Sequence, residues 1–322
     1  MSIRSIITSG IAGALALAVP FLVSGPASAQ DREFGGEIEL VDPEVFRVCA
    51  DPNNMPFSNE AEAGFEQEVA ELLAGKLGRS SVSYTYFPQA TGFVRMTLGS
   101  QLCDVIMSYP QGDELVQNTN AYYRTAYALV VPADGELANV ETLSDPALQG
   151  KRVGVVAGTP PATYLARAGL IGKAKPYQLM VDTRITNSAK AMIDDLDKGN
   201  IDAATLWGPM AGWYAKQSDK DYKVIPLIHE GAGPATTFRI TMGVRPADQQ
   251  WKRTLNVAIR DNQDAINDIL LSYGVPLLTE DDQLIRPSKD AAAQTGSEVD
   301  GEGARDTAEK SGSGTAGATK TQ

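Results

Sequence analysis

The order of elements along the chain predicts an α/β protein of two lobes joined by a two-strand hinge. Three observations carry this expectation: a β-α-β-α-β series early in the body, a second α/β series after it, and two extended runs. One run leaves the first series and the other returns after the second.

The first series opens at residues 45–50, a β-rich run that ends in the turn cluster Asp51-Pro52-Asn53-Asn54. Over 64–77, Phe65, Val69, Leu72, Leu73 and Leu77 recur at helical spacing, and Gly78 closes the helix. Residues 82–87 read as a strand, 92–98 as a helix and 104–108 as a buried strand. The run 126–131 leads out of this lobe, and 139–149 reads as a connecting loop with a short helix. The second series takes a strand at 153–156, the turn Gly158-Thr159-Pro160-Pro161 into a helix reaching Ala168, a strand at 177–180, a helix at 188–198 and a strand at 201–206. Beyond Pro226, 238–244 reads as a strand with no partner nearby in sequence. Residues 249–273 then read as one long amphipathic helix with Leu255, Ile259, Ile266, Ile269 and Leu270 on its apolar face.

Two series linked by two crossing strands make a hinge. Lobe 1 is therefore expected over 30–131 plus 231–286, and lobe 2 over 132–230. Ligands of open α/β sheets bind beyond the carboxyl ends of the strands, so the lobes should face each other across a cleft lined by strand-to-helix turns.

The N-terminus carries Arg4, an apolar stretch broken by Gly10, Gly13 and Pro20, and then Ala27-Ser28-Ala29, which fits a small-residue cleavage site. It reads as a signal peptide over 1–29, with export to the periplasm and no membrane span in the mature chain. Residues 287–322 are mostly Ala, Gly, Ser, Thr, Asp, Glu and Lys with Val299 as the single large aliphatic, too little apolar area to order a fold. A disordered tail is expected there. The formal net charge of −12 argues against nucleic acid, since no basic stripe is present to replace phosphate counterions.

Cys49 and Cys103 would stand in a compartment where a disulfide persists. Both flank short strands, which leaves open whether their Cα atoms approach closely enough to bridge. Neither belongs to a C-x-x-C motif, and the single histidine, His229, completes no metal site with them, so no metal or cofactor is expected.

The element order, with Cys103-Asp104-Val105-Ile106-Met107, Tyr122-Tyr123-Arg124, Gly154-Val155-Val156-Ala157-Gly158-Thr159-Pro160 and Asp202-Ala203, resembles class II, family 3-like periplasmic solute-binding proteins over nearly the whole mature body. More specifically, Arg47-Val48-Cys49-Ala50-Asp51-Pro52-Asn53-Asn54-Met55-Pro56-Phe57-Ser58, with Gly64-Phe65-Glu66, Phe93-Val94-Arg95 and Tyr273-Gly274-Val275-Pro276-Leu277, looks like the quinoprotein-dehydrogenase-associated group that includes MoxJ and XoxJ. That resemblance implies a partner: a periplasmic PQQ-dependent alcohol or methanol dehydrogenase.

The wider family usually holds an amino acid, yet the charges for one are missing. An arginine after the third strand would take the α-carboxylate, but residues 104–123 contain no Lys or Arg. The position of the ammonium-holding carboxylate ends in the indole of Trp207. A zwitterion entering such a site would leave water uncompensated. The cleft is expected to be lined by Asn53, Asn54, Phe57, Phe93, Ser108, Tyr109, Thr159 and Trp207, with Arg95 as its candidate charge. This set suits a flat or weakly charged ligand, or an inserted loop of a partner. Thr159, opening a helix after a glycine, would either present N–H groups to an anion or act as an ordinary N-cap before Pro160. Tyr122 and Tyr123 read as structural.

Three functions fit: a monomeric accessory protein of a quinoprotein dehydrogenase, a receptor handing a non-amino-acid solute to an ABC permease, or an enzyme with a cleft carboxylate. Glu60, Glu62 and Glu66 are the carboxylates near the first loop, in a stretch that reads as solvated, and no base-orienter pair accompanies them. The expectation is a non-enzymatic binding or accessory protein.

Overall fold

A computed structural model describes residues 39–286 apart from Thr91. The expected signal peptide and C-terminal tail lie outside the described residues. The first strand, Val45–Ala50 (β1), precedes a small hairpin, Asn53–Asn54 (β2) and Ser58–Asn59 (β3). Helix Phe65–Lys76 (α1) follows, capped by Gly64, then Ser81–Tyr86 (β4), the short helix Phe93–Met96 (α2) and Val105–Pro110 (β5). β1 lies between β4 and β5, parallel to both.

Gln117–Asn118 (β6) leads to the ten-residue strand Tyr123–Pro132 (β7). The second series runs Val153–Val156 (β8), Pro160–Arg167 (α3), Lys175–Tyr177 (β9), Ser188–Asp197 (α4) and Ala203–Trp207 (β10). Gly208–Gln217 (α5) and Tyr222–Pro226 (β11) precede the returning strand Thr237–Val244 (β12), and Gln249–Asp261 (α6) and Gln263–Ser272 (α7) close the body.

The sheet order is β4-β1-β5-β12-β7-β10-β8-β9, with β11 also on β7 and β6 also on β12. β7 is the strand both lobes share. Its first half pairs with β12, Tyr123 opposite Ile240 and Ala126 opposite Thr237, while its second half pairs with β10 and β11. Along that second half Leu129 and Val131 enter one core and Ala128 and Val130 the opposite one, the two-residue period of a strand covered on both faces. The first lobe packs Phe46, Phe65, Leu73, Met107, Trp251 and Leu270 into a core of its own. The fold is thus the two-lobed α/β body that the sequence predicts.

Three local expectations are corrected. The strand placed at 177–180 ends at Tyr177, because its neighbour β8 pairs Val156 with Tyr177 and the chain beyond Val156 turns away into α3. Leu179 and Met180, left without a partner strand, are exposed. The single helix at 249–273 is two helices, broken at Asn262, whose side-chain amide donates back to the Ala258 carbonyl at 2.8 Å. Residues 238–244 form the expected strand without a neighbour in sequence, pairing instead with the distant β5 and β7. Helix α5 and strand β11 lie where none was expected. Pro209 sits in the first turn of α5, where its missing N–H costs nothing. Gly212, midway along, meets the backbone of Gly274 so closely that a β-carbon would overlap it.

Cys49 and Cys103 are joined as a disulfide, with Cα atoms 5.3 Å apart. Cys49 lies in β1 and Cys103 just before β5, neighbours in the sheet, so the crossover that separates them in sequence returns them to bridging distance.

Candidate functional site

Strands β1, β5, β8 and β10 all deliver their carboxyl ends to one region between the lobes. A cavity of about 330 Å³ lies there. Asn54, Gln89 and Pro110 line it from the first lobe. Val156, Thr159, Leu206, Trp207 and Met210 line it from the second, joined by Leu179, Val181 and Thr183 from the loop after β9 and by Asn187 and Ser188 at the start of α4. The hinge strands contribute Tyr127 and Phe238.

Tyr127, Trp207 and Phe238 form a triangle of edge-on rings, with centroids 5.1, 5.6 and 6.2 Å apart. Because Tyr127 and Phe238 stand on adjacent antiparallel strands and Trp207 pairs opposite Tyr127 on β10, sheet register alone brings them together.

Hydrogen bonds cross the cleft at its rim. Asn53 Nδ2 donates to the Thr183 carbonyl at 2.9 Å, and Thr183 Oγ1 donates to Asp51 Oδ1 at 2.7 Å. Asp51 also accepts from the backbone N–H groups of Asn53 and Gln89, so this carboxylate, only 3% exposed, is surrounded by donors. Such saturation, with the Arg184 guanidinium near enough to act on it, satisfies a buried charge.

The remaining charges near the cleft are occupied or remote. Asp202 is paired with Arg152, and the guanidinium holds its carboxyl below the usual range. Arg95 lies exposed on α2 and contributes nothing to the cavity lining. The start of α3 offers no anion site. Thr159 Oγ1 donates to the Val156 carbonyl at 2.7 Å and its N–H points to the same oxygen, while Pro160 and Pro161 have no N–H to give.

Of the residues expected at the cleft, the structure brings Asn54, Thr159 and Trp207 to the cavity and Asn53 to its rim. Phe57 packs on Phe65 in the first-lobe core, centroids 5.0 Å apart. Phe93 and Tyr109 are buried around the disulfide. Ser108 is buried, within hydrogen-bond reach of the Tyr122 and Tyr123 hydroxyls at 3.2 and 3.4 Å. In each case the side chain packs inside the first lobe rather than projecting into the cavity.

The solvated reading of the first-loop carboxylates holds for Glu60 and Glu62 and fails for Glu66, which is buried at the start of α1. Burial, with the Asp51 carboxylate nearby, pushes its pKa up to about 7 against hydrogen bonding from Ser108 and Ser58. Among the described residues no group of three or more His, Cys, Asp or Glu is arranged to hold a metal ion, and no helix is long and apolar enough to cross a membrane.

A two-lobed α/β body with shared hinge strands and a cavity between the lobes defines a class II periplasmic binding protein. No protein-family model matches the chain. The crystal structure of the periplasmic binding protein XoxJ from Methylobacterium extorquens AM1 is similar at 41% identity, covering 73% of this chain and all of that one, with a TM-score of 0.63. Protein MoxJ of Methylorubrum extorquens is 27% identical over 85% of this chain and 96% of its own length. The crystal structure of MxaJ from Methlophaga aminisulfidivorans, 24% identical over 73% of this chain and all of its own, shares the fold with a TM-score of 0.62. The chain belongs to the MoxJ/XoxJ family of periplasmic binding proteins, and a binding or accessory role in the periplasm goes with that membership.

Proposed function

We propose that this chain is a non-enzymatic accessory protein of a periplasmic PQQ-dependent alcohol or methanol dehydrogenase, which it binds or helps to mature or activate. The observation that carries the reading is the 41% identity with XoxJ across that protein's full length. The missing amino-acid ligand charges support it, since neither an arginine after the third strand nor a free carboxylate after β10 is available for a zwitterion. In this reading the chain works as a monomer after loss of residues 1–29. Residues 30–131 with 231–286 move as one lobe, and 132–230 as the other.

The test is capture from periplasmic extract on the immobilised chain, at rising salt. Enrichment of a quinoprotein dehydrogenase that falls away as salt screens the acidic surface is the expected result. No enrichment at low salt counts against the reading. The alternative, a receptor passing a non-amino-acid solute to an ABC permease, is favoured by the cavity itself, and a small molecule co-purifying in place of the dehydrogenase would select it.

A further inference from the structure

We infer that the interlobe cavity is a binding site for a small, uncharged molecule with a planar aromatic face. The inference rests on the binding-protein reading and assigns that site its ligand class.

Charge is the first discriminant. No side chain lining the cavity carries a formal charge at neutral pH. The charged groups beside it are already engaged, Asp51 by three donors and Asp182 and Arg184, which flank Thr183, by each other, while at the opening of α3 Thr159 is held by Val156 and two prolines follow it. An anion entering here would give up its hydration with nothing to replace it, and a cation would find only ring faces and neutral oxygens, an incomplete exchange for water. Binding would therefore be selective against charge of either sign.

Shape is the second. Tyr127, Trp207 and Phe238 meet edge-on, so each contact occupies one face of one ring and leaves other faces of the triangle uncovered by its own rings. Rings arranged in this way offer faces and edges to a further ring. Aliphatic Leu179, Val181 and Met210 surround them.

Polarity is the third. Asn54 Nδ2 donates to Gln89 Oε1 at 3.0 Å, which leaves Asn54 Oδ1 and Gln89 Nε2 for a ligand hydroxyl or carbonyl. The volume is at the lower end of small-molecule sites, and the Asn53 and Thr183 bonds bridge its rim, so a compact ligand fits where an inserted protein loop would have to separate the walls.

The test uses three probes that share an indole ring and differ in charge: tryptophol, indole-3-acetate and tryptamine, titrated calorimetrically into the full chain at pH 7. Tryptophol is expected to bind with a dissociation constant below about 1 mM, and each charged probe at least roughly tenfold more weakly. Trp207→Ala should weaken tryptophol about tenfold or more while Arg95→Ala leaves it unchanged. Tryptophol binding to a second aromatic variant, Phe238→Leu, guards against misfolding of the first and should also fall. A charged probe binding as tightly as tryptophol, no tryptophol heat at about 5 mM, or full affinity in both aromatic variants overturns the inference. Dehydrogenase capture by the same variants separates the two readings: retained capture with lost tryptophol binding leaves this inference standing alone, and failed capture by the wild-type chain leaves the cavity result untouched.

Discussion

Glu66 shows how one side chain can carry a pH dependence that its neighbours in sequence conceal. Its carboxyl sits on the buried face of α1 beneath the cleft, facing Asp51, Ser58, Ser108 and the Tyr122 and Tyr123 hydroxyls. The folded chain holds the Glu66 proton up to about pH 7, whereas an ordinary glutamate releases it near 4.5. The folded state therefore binds more protons between those values, and this group's contribution to stability is greatest below 4.5 and falls as pH rises to 7. The loss is on the order of 3 kcal/mol. Glu66→Gln keeps the shape and removes the titration, so its unfolding free energy should gain on the wild type by roughly that amount between pH 5 and pH 8. Urea titrations at both pH values measure it, and an offset independent of pH would refute the assignment. The sequence showed Glu66 within an acidic stretch and gave no sign of burial, because the face of a helix turned to the core depends on what packs there. Trp207 was legible because it ends a strand, and Thr159 because it opens the helix that follows one. Tyr127 and Phe238 were not, because they lie inside the hinge strands, and only the antiparallel register of β7 and β12 shows that they meet.

At the scale of elements, two joints hold neighbouring pieces in place. The Cys49–Cys103 disulfide closes a sequence separation of 54 and ties β1 to the chain entering β5. Loop-closure entropy of that length makes its removal cost about 4 kcal/mol. Cys103→Ser should lose that much in denaturant unfolding, and reductant should lower the wild type to nearly the same midpoint while leaving the variant unmoved. The second joint is the close approach of α5 to the turn after α7. There Gly212 meets Gly274, which adopts φ +77°, and Trp213 stacks on Tyr273 at 5.3 Å. Gly212→Ala would drive a methyl into the Gly274 backbone at a cost of roughly 1–3 kcal/mol. An unchanged urea midpoint would show that the contact yields easily. The elements with strong periodicity, α1, β1, β5, β8 and α4, fall where the sequence places them. Helix α5 was hidden because its two glycines and a proline weaken the helical signal, although each has a steric role that favours the helix in this setting. Strand β9 was placed too late in the chain because Leu179 and Met180 are apolar, and apolarity alone does not reveal that the neighbouring strand has already ended.

For the molecule as a whole, the question is what holds the two walls of the cleft together. Hinge strands permit rotation but do not favour closure, so closure must come from contacts that form only when the walls meet. The Thr183 loop supplies two such contacts, its hydroxyl to Asp51 and its carbonyl from Asn53. The first is the more consequential, since its acceptor is a carboxylate. Hydrogen bonds to charged groups contribute about 1.5–3 kcal/mol, and water compensates Asp51 when the cleft opens, so the lower figure applies. Thr183→Val removes the hydroxyl, preserves the shape and leaves the Asn53 bond to the Thr183 carbonyl in place. About 1.5 kcal/mol corresponds to roughly a tenfold shift toward open lobes. Small-angle scattering should then give a larger radius of gyration for the variant than for the wild type, at equal melting temperature because each lobe keeps its own core. A radius unchanged by Thr183→Val would show that the Thr183–Asp51 bond does not hold the cleft closed.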